Sequence, residues 1–304
     1  MHIVKRNYKA IINPPKPTIQ KNTAVTYDIL LSDIAGLQKR LRDAGLNDTL
    51  PSVAAASAVS SSIVSASATK KTALLVGINY TNTTSKLNGC INDIQNVATL
   101  LRQKGYTCSL MTDLTPVRAT KNNILNALTQ LLVTANNGDS LFFHFSGHGT
   151  RTIDRNGDEL DGKDELICPC DFNMITDDEL NKLVHTHLKP NVTLFALFDS
   201  CFSGTVLDLK YNYAPNVINP RVAETKSNVI MISGCMDNQT SADTFLDKQW
   251  CGAMTNAFLT CVNSPSLNSL VTNMRTYLKN KKYSQIPQLS TGKLVNINQN
   301  ILYF

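Results

Sequence analysis

From Thr72 onward, short apolar runs alternate with stretches whose apolar residues recur at helical spacing. Ala73–Ile78 is a continuous apolar run, the pattern of a strand buried on both faces. Ile91–Lys104 has helical periodicity and stops at Gly105, a residue suited to ending a helix. Cys108–Met111 predicts a short strand and Lys121–Thr134 a second amphipathic helix. Ser140–Phe145, Thr193–Phe198 and Asn228–Ser233 read as further strands, Met254–Val262 and Leu267–Lys279 as helices, and Lys293–Ile297 as a last strand. Strands alternating with helices predict an α/β fold with a mainly parallel sheet and helices on both faces.

The first 70 residues follow another pattern. Pro14, Pro15 and Pro17 stand among polar residues in an arm-like stretch, and residues 27–44 carry one amphipathic helical pattern. Residues 52–70 are almost wholly Ser, Ala and Val, a linker composition. The expected division is an extension over 1–70 and a main domain over 71–304. Charge divides at the same place. The net charge is +6, but residues 1–70 hold nine Lys/Arg against four Asp, whereas 71–304 hold twenty against nineteen acids. The main domain is therefore no expected nucleic-acid binder. Ten of its acids fall between Asp154 and Glu179, facing only Arg155 and Lys163, a density that asks for a cation or a basic substrate.

No apolar run approaches the roughly 20 residues of a membrane span, and Met1–Arg6 is followed by no apolar signal region. No membrane role and a cytoplasmic location are the expectations. Eight cysteines without a secretory signal are expected to be reduced thiols, not a disulfide framework.

Two segments carry the candidate chemistry. Phe143-His144-Phe145-Ser146-Gly147-His148-Gly149 and Phe198-Asp199-Ser200-Cys201-Phe202-Ser203-Gly204 each pass from strand-like residues into small, turn-forming ones. If the strands are neighbours, His148 and Cys201 emerge side by side at their carboxyl ends, where open α/β sheets place their sites. A thiol beside an imidazole is the minimum for cysteine nucleophilic catalysis. The imidazole then also protonates a leaving amine. Gly147 and Gly149 allow a tight turn, and N–H groups there, at Gly149 and at Cys201 itself, suit an oxyanion. Ser146 and Asp199 each stand two residues before a catalytic candidate, so on extended strands each shares its face.

These segments occur in order with Ala73-Leu74-Leu75-Val76-Gly77-Ile78-Asn79-Tyr80, with Leu87-Asn88-Gly89-Cys90-Ile91-Asn92-Asp93, and with Ile232–Asp243 followed by Gly252-Ala253-Met254-Thr255. The set resembles the type I metacaspases, caspase-like cysteine peptidases of the caspase–hemoglobinase fold, over roughly residues 72–304. The resemblance implies a three-layer α/β/α fold with a large-subunit-like part over about 71–210 and a small-subunit-like part over about 227–304. It implies a His148–Cys201 dyad that cleaves protein or peptide substrates after Arg or Lys. It adds Cys90 and Asp93 to Ser146 and Asp199 in the pocket for the basic side chain. Paired carboxylates with a polar neighbour suit a guanidinium or ammonium, although Asp93 also reads as an acid at a helix amino end. The resemblance further implies activation by Ca2+ held by Asp161, Asp177 and Asp178, hard oxygen ligands, with no organic cofactor. It implies a monomer and self-cleavage after basic residues, for which Lys70, Lys71, Lys210, Arg221 and Lys226 are candidates, the first two as exposed residues at the linker end.

Rival readings exist. An EF-hand loop from Asp154 to Glu165 would use Asp154, Asn156, Asp158 and Glu165, but its sixth position is Glu159 in place of glycine and flanking helix patterns are missing. Zinc on Cys168, Cys170, His185 and His187 would need one-residue spacings unusual for structural zinc. Phe202 stands where the family has a histidine, and its common prodomains are replaced by the short basic arm. A catalytically silent caspase-like scaffold and an acyl transferase or ligase on the same dyad are the alternative functions.

Overall fold

The structure, a computed structural model, describes residues 69–154, 157, 162–201, 203–213, 216–234, 243–246 and 249–299. The expected helix at 27–44, residues 52–68 of the linker, and residues 235–242 of the Ile232–Asp243 motif lie outside the described residues.

Strand–helix alternation appears as β1 (Lys71–Gly77), α1 (Cys90–Gln103), β2 (Thr107–Thr112), α2 (Lys121–Thr134) and β3 (Ser140–Ser146). A three-stranded excursion follows, with β4 (Gly149–Ile153), β5 (Lys163–Ile167) and β6 (Ile175–Thr176), and then α3 (Asp177–His187) leads to β7 (Thr193–Asp199). The rest comprises β8 (Tyr211–Tyr213), β9 (Asn216–Ile218), β10 (Asn228–Ser233), the hairpin β11 (Asp243–Leu246) and β12 (Gln249–Gly252), α4 (Ala253–Cys261), α5 (Leu267–Asn280) and β13 (Gln288–Thr291).

The main sheet has eight strands in the order β2-β1-β3-β7-β10-β13-β8-β9. The first five are mutually parallel, and the remaining three add antiparallel pairings at one edge. Alternating strand residues feed two separate cores. Leu74, Val76, Phe143, Phe145, Ala196 and Phe198 face α2 and α3 through Ile124, Leu128, Leu180 and Val184. Leu75, Phe142, Phe195, Leu197 and Ile232 face α1, α4 and α5 through Ile94, Val97, Phe258, Leu270 and Met274. The expected three-layer α/β/α fold with a mainly parallel sheet is thus present. The chain leaves β1 for β2 through α1 and returns past β1 to β3 through α2. The strand order therefore reverses between β1 and β3, and a crevice at the carboxyl ends follows from that reversal.

Two sequence expectations need correction. No strand occupies 293–297; among the described residues the last strand is β13, Gln288–Thr291. Its residues are all buried, yet three of the four are polar, so apolar patterning pointed past it. The stretch between β7 and β10 is not simply a loop, because β8 and β9 form a hairpin there that extends the sheet edge.

His144, in the middle of β3, is completely buried, and its Nδ1 lies 2.9 Å from the Leu197 carbonyl. A carbonyl only accepts, so Nδ1 carries the proton. Burial pushes the imidazole pKa down to about 4, with the Leu197 hydrogen bond opposing. Because the unfolded chain binds this proton more readily, stability is present above about pH 6.5 and falls as pH drops towards 4. Urea unfolding should show wild type losing about 3 kcal/mol more between pH 7 and pH 4 than His144→Phe does; parallel pH profiles for the two proteins would contradict this.

Candidate active site

The pairing of β3 with β7 sets the site. Their parallel register runs to Ser146 opposite Asp199, and the Gly147 N–H donates to the Asp199 carbonyl at 3.2 Å just beyond. His148 and Cys201 each follow two residues later, both half-buried. A Cβ placed on Gly149 would stand 2.1 Å from the Cys201 carbonyl oxygen, so only glycine lets the start of β4 approach the cysteine's turn this closely.

His148 is held from three directions. Its Nε2 lies 2.7 Å from the Ser85 carbonyl, and its backbone N–H donates to the Tyr80 hydroxyl at 2.8 Å. Its carbonyl accepts from the Cys168 N–H at 3.0 Å. The Ser85 carbonyl can only accept, so Nε2 carries the proton and the neutral ring keeps Nδ1 as its basic nitrogen.

Tyr80 is the residue that sequence reasoning missed as part of this arrangement. Its ring packs against the His148 ring with centroids 4.6 Å apart, and its hydroxyl donates to the Cys168 carbonyl at 2.6 Å. Burial pushes its pKa well above 10, so the hydroxyl stays a donor. The backbone of Tyr80 is left-handed (φ 49°), and its neighbours fasten it there. The N–H groups of Asn79 and Thr81 donate to the two oxygens of Asp113 at 3.1 and 2.7 Å. The signal available in sequence was Asn79-Tyr80, which follows the β1 run two residues after the motif glycine Gly77.

The pocket candidates converge. Cys90 and Asp93 lie buried in the first turn of α1, one helical turn apart, while Ser146 and Asp199 end β3 and β7 on the same sheet face. The Ser146 hydroxyl donates to Asp93 Oδ2 at 2.7 Å. Gly252 N–H donates to both oxygens of Asp93 at 2.9 and 3.1 Å, and the N–H and hydroxyl of Thr255 both donate to Asp199 Oδ2 at 2.8 Å. A Cβ on Gly252 would be 2.1 Å from Asp199 Oδ2 and 2.9 Å from Asp93 Oδ2, so the two carboxylates face one point. Asp93 is an acid at a helix amino end, as its alternative reading held, and it also borders this pocket.

A second acidic centre lies beyond Cys201. Asp164, Asp177 and Asp178 bring carboxylate oxygens within 4.8 Å of one another, as do Glu165, Asp177 and Asp208. The Glu165 N–H and the Asp178 N–H donate to Asp177, and the Thr205 hydroxyl donates to Glu165. Asn181 Nδ2 donates to the carbonyls of Leu207 and Asp208 at 2.9 and 3.1 Å. Asp177 and Asp178 were expected here; Asp161 lies outside the described residues. Asp164, Glu165 and Asp208 are additions, the last reached only because the chain folds back onto α3. An EF-hand is excluded, since β4 and β5, not helices, flank the acidic loop. Among the described residues, no cluster of three metal-ligating side chains includes Cys168, Cys170, His185 or His187, so zinc there has no support.

The candidate self-cleavage residues are dispersed. Lys70 is exposed, but its N–H donates to Asp139 and its carbonyl accepts from the Ser140 N–H. Lys71 is half-buried within β1, paired with Ser140, which corrects its reading as an exposed linker residue. Lys210 is half-buried and its Nζ donates to the Val222 carbonyl. Arg221 and Lys226 are exposed between β9 and β10.

The family profile for the metacaspase, peptidase C14 domain matches residues 71–210. Metacaspase-1 of Kluyveromyces lactis is 39% identical to this chain, with 77% of this chain and 68% of that protein covered. The chain belongs to the metacaspase family. Metacaspase-1 of Meyerozyma guilliermondii is 38% identical, covering 75% of this chain and 71% of that protein. Among solved structures, protein GSU0716 from Geobacter sulfurreducens superposes with a TM-score of 0.57 at 25% identity, over 75% of this chain and 95% of that one. This metacaspase is accordingly a cysteine-type endopeptidase acting on protein substrates. Among the described residues no helix is long and apolar enough to cross a membrane.

Tyr80→Phe removes both hydroxyl contacts while keeping the ring against His148. With His148 as the expected base, it should lower kcat about tenfold with little change in KM, since displacing the imidazole weakens the transition state more than substrate binding. A KM change with kcat intact, in steady-state peptide hydrolysis, would contradict this assignment.

Proposed function

We propose that this metacaspase cleaves peptide bonds after Arg or Lys through Cys201 and His148. The observation that carries the reading is the convergence of buried Asp93 and Asp199 with the Ser146 hydroxyl, where Ser146 and Asp199 stand two residues before the imidazole and the thiol. N–H and O–H donors fix both carboxylates in place, and a carboxylate oxygen accepts more than one hydrogen bond. A guanidinium supplies several donors in a planar fork and an ammonium supplies three, so either satisfies the acceptors left between the two acids. An aspartyl side chain would bring a third carboxylate to the same point and be repelled.

The chemistry follows from the positions. With Nε2–H held by Ser85, Nδ1 takes the proton of the Cys201 thiol, and the thiolate attacks the carbonyl carbon of the residue seated in the pocket. The developing oxyanion is stabilised by N–H groups at Gly149 and Cys201. His148 then gives its proton to the departing amine, leaving an acyl-enzyme that water hydrolyses.

Calcium stimulation is the second part of the proposal. Several carboxylates packed within 4.8 Å fit a hard divalent cation, and Asp177 and Asp178 with Asp164, Glu165 and Asp208 would hold it; the family resemblance adds Asp161. A bound cation would supply the positive charge that lets these acids ionise side by side. Thr205 and Asp208, in the turn that follows Cys201, are fastened to the same group of residues, which links the acidic centre to the nucleophile's segment. Self-cleavage completes the proposal, with Arg221 and Lys226 better supported by exposure than Lys70, Lys71 or Lys210.

A panel of fluorogenic peptides ending in Arg, Lys or Asp, assayed with wild type and Cys201→Ala, tests the specificity. Arg and Lys peptides should be cleaved only by wild type, and Asp199→Asn should lower kcat/KM for them about 100-fold; preference for Asp would overturn the pocket assignment, and no Cys201-dependent cleavage would favour a silent scaffold. In a calcium titration, Asp177→Asn should raise the half-maximal concentration about tenfold. Activity unaffected by calcium or chelator would remove the metal from the proposal. Mass spectrometry of calcium-treated protein should find new termini after Arg221 or Lys226, and an intact chain that still cleaves peptides would show that processing is not required.

A further inference from the structure

Phe172 is an exposed aromatic residue, with 44% of its surface accessible, in the turn that follows β5. Its ring packs on Tyr80 with centroids 5.7 Å apart, and Tyr80 packs in turn on His148. Its backbone is left-handed (φ 57°), an uncommon state for a bulky side chain. The surroundings enforce it. The Phe172 N–H donates to the Pro169 carbonyl, the Cys170 N–H to the Ala119 carbonyl, and the Lys121 N–H to Asp171 Oδ1. A rigid turn thus holds an aromatic ring in solvent beside the residue that positions the imidazole. Strained backbone of this kind concentrates at functional sites.

The side on which it lies is informative. Asp93, Ser146 and Asp199 belong to the sheet face covered by α1 and α4, whereas Tyr80 and Cys168 belong to the core of the opposite face. His148 follows Ser146 by two residues, and its ring packs on Tyr80. A peptide whose basic side chain enters the acidic pocket must carry its leaving nitrogen to the His148 side, because His148 protonates it. The residues that follow the scissile bond therefore run towards Tyr80 and Phe172.

We propose that Phe172 forms the leaving-group-side subsite, receiving an apolar side chain from the first or second substrate residue after the cleaved bond. The proposal rests on the Cys201–His148 reading of the site. An aromatic face gives an apolar side chain a large contact area at low entropic cost. It also explains why this ring is exposed while Tyr80, on which it packs, is buried in the core with Phe143, Phe145 and Phe198.

Two substrates with identical residues before the bond separate the possibilities. One ends in an aminocoumarin amide and has nothing after the bond; the other is a quenched peptide continuing with Leu or with Ser. Wild type should prefer Leu to Ser about tenfold in kcat/KM, the discrimination expected of one apolar contact. Phe172→Asn, which tolerates the left-handed backbone, and Phe172→Ala should both abolish that preference and lower the ratio of Leu-peptide to aminocoumarin turnover about tenfold. An unchanged Leu preference in both variants would overturn the subsite. An equal loss on both substrates would also overturn it, assigning Phe172 instead to the support of Tyr80 and His148. If wild type shows no Cys201-dependent hydrolysis of the aminocoumarin amide, the dyad reading itself fails, an outcome distinct from loss of the leaving-group preference alone.

Discussion

The parallel pairing of β3 with β7, with Ser146 opposite Asp199, is the constraint on which the site depends. It places two chemical segments in step. A one-residue slip would move every side chain of one strand to the other sheet face; for β7 it would carry Phe198 out of one core and Leu197 out of the other. The register is therefore fixed by the burial of large apolar residues on both faces, far from the polar tips. Chemistry at the carboxyl ends inherits its geometry from that packing. Asp199 and Ser146 share a face because Leu197 and His144 share it two residues earlier.

What surrounds the tips is equally determined by backbone bonds. Asp113, at the end of β2, fastens the turn that carries Tyr80; Tyr80 fastens His148; and the Cys168 N–H and carbonyl join both to β5. Neighbouring strands thus orient one imidazole. The acidic pocket is built in the same way, for its donors Gly252 and Thr255 come from the junction of β12 and α4, distant in sequence. Asp199 receives hydrogen bonds at the amino end of α4, where the helix dipole favours an anion. This part of the pocket stabilises the helix whether or not a substrate is present.

The elements with continuous apolar runs or clear helical periodicity were legible to within a residue or two, from β1 through α5, because burial on one or both faces wrote itself into composition. Others were hidden for physical reasons. α3 buries only Asp177, Leu180 and Val184 and begins with three acids, so its periodicity is weak. Its capping box, Thr176 with Glu179, was the sequence signal that marks its start. β13 is polar and buried, and β4 is half-exposed, so neither shows the expected alternation. At the site, motif spacing named the residues that the structure brings together at the ends of β3, β7 and the start of α1, whereas Asp208 and Phe172, and the part Tyr80 plays inside its motif, acquire meaning only when separate turns are folded together.

The acidic centre shows why such long-range placement matters. Glu165, Asp177 and Asp208 are all buried, and charges of one sign within 4.8 Å in a poorly solvated place repel strongly. Each must share a proton, accept fixed hydrogen bonds or meet a cation. The Thr205 hydroxyl serves the second need at Glu165, and with the Asn181 amide, which donates to the Leu207 and Asp208 carbonyls, it ties the Thr205–Asp208 turn to β5 and α3. Asp208 itself has a left-handed backbone (φ 44°), which aspartate tolerates better than most residues. The turn therefore cannot move without altering the charge balance of the centre, nor the centre change its charge without loading the turn. Cys201 opens the segment that ends in that turn, so the acidic centre is fastened four to seven residues along the chain from the thiol.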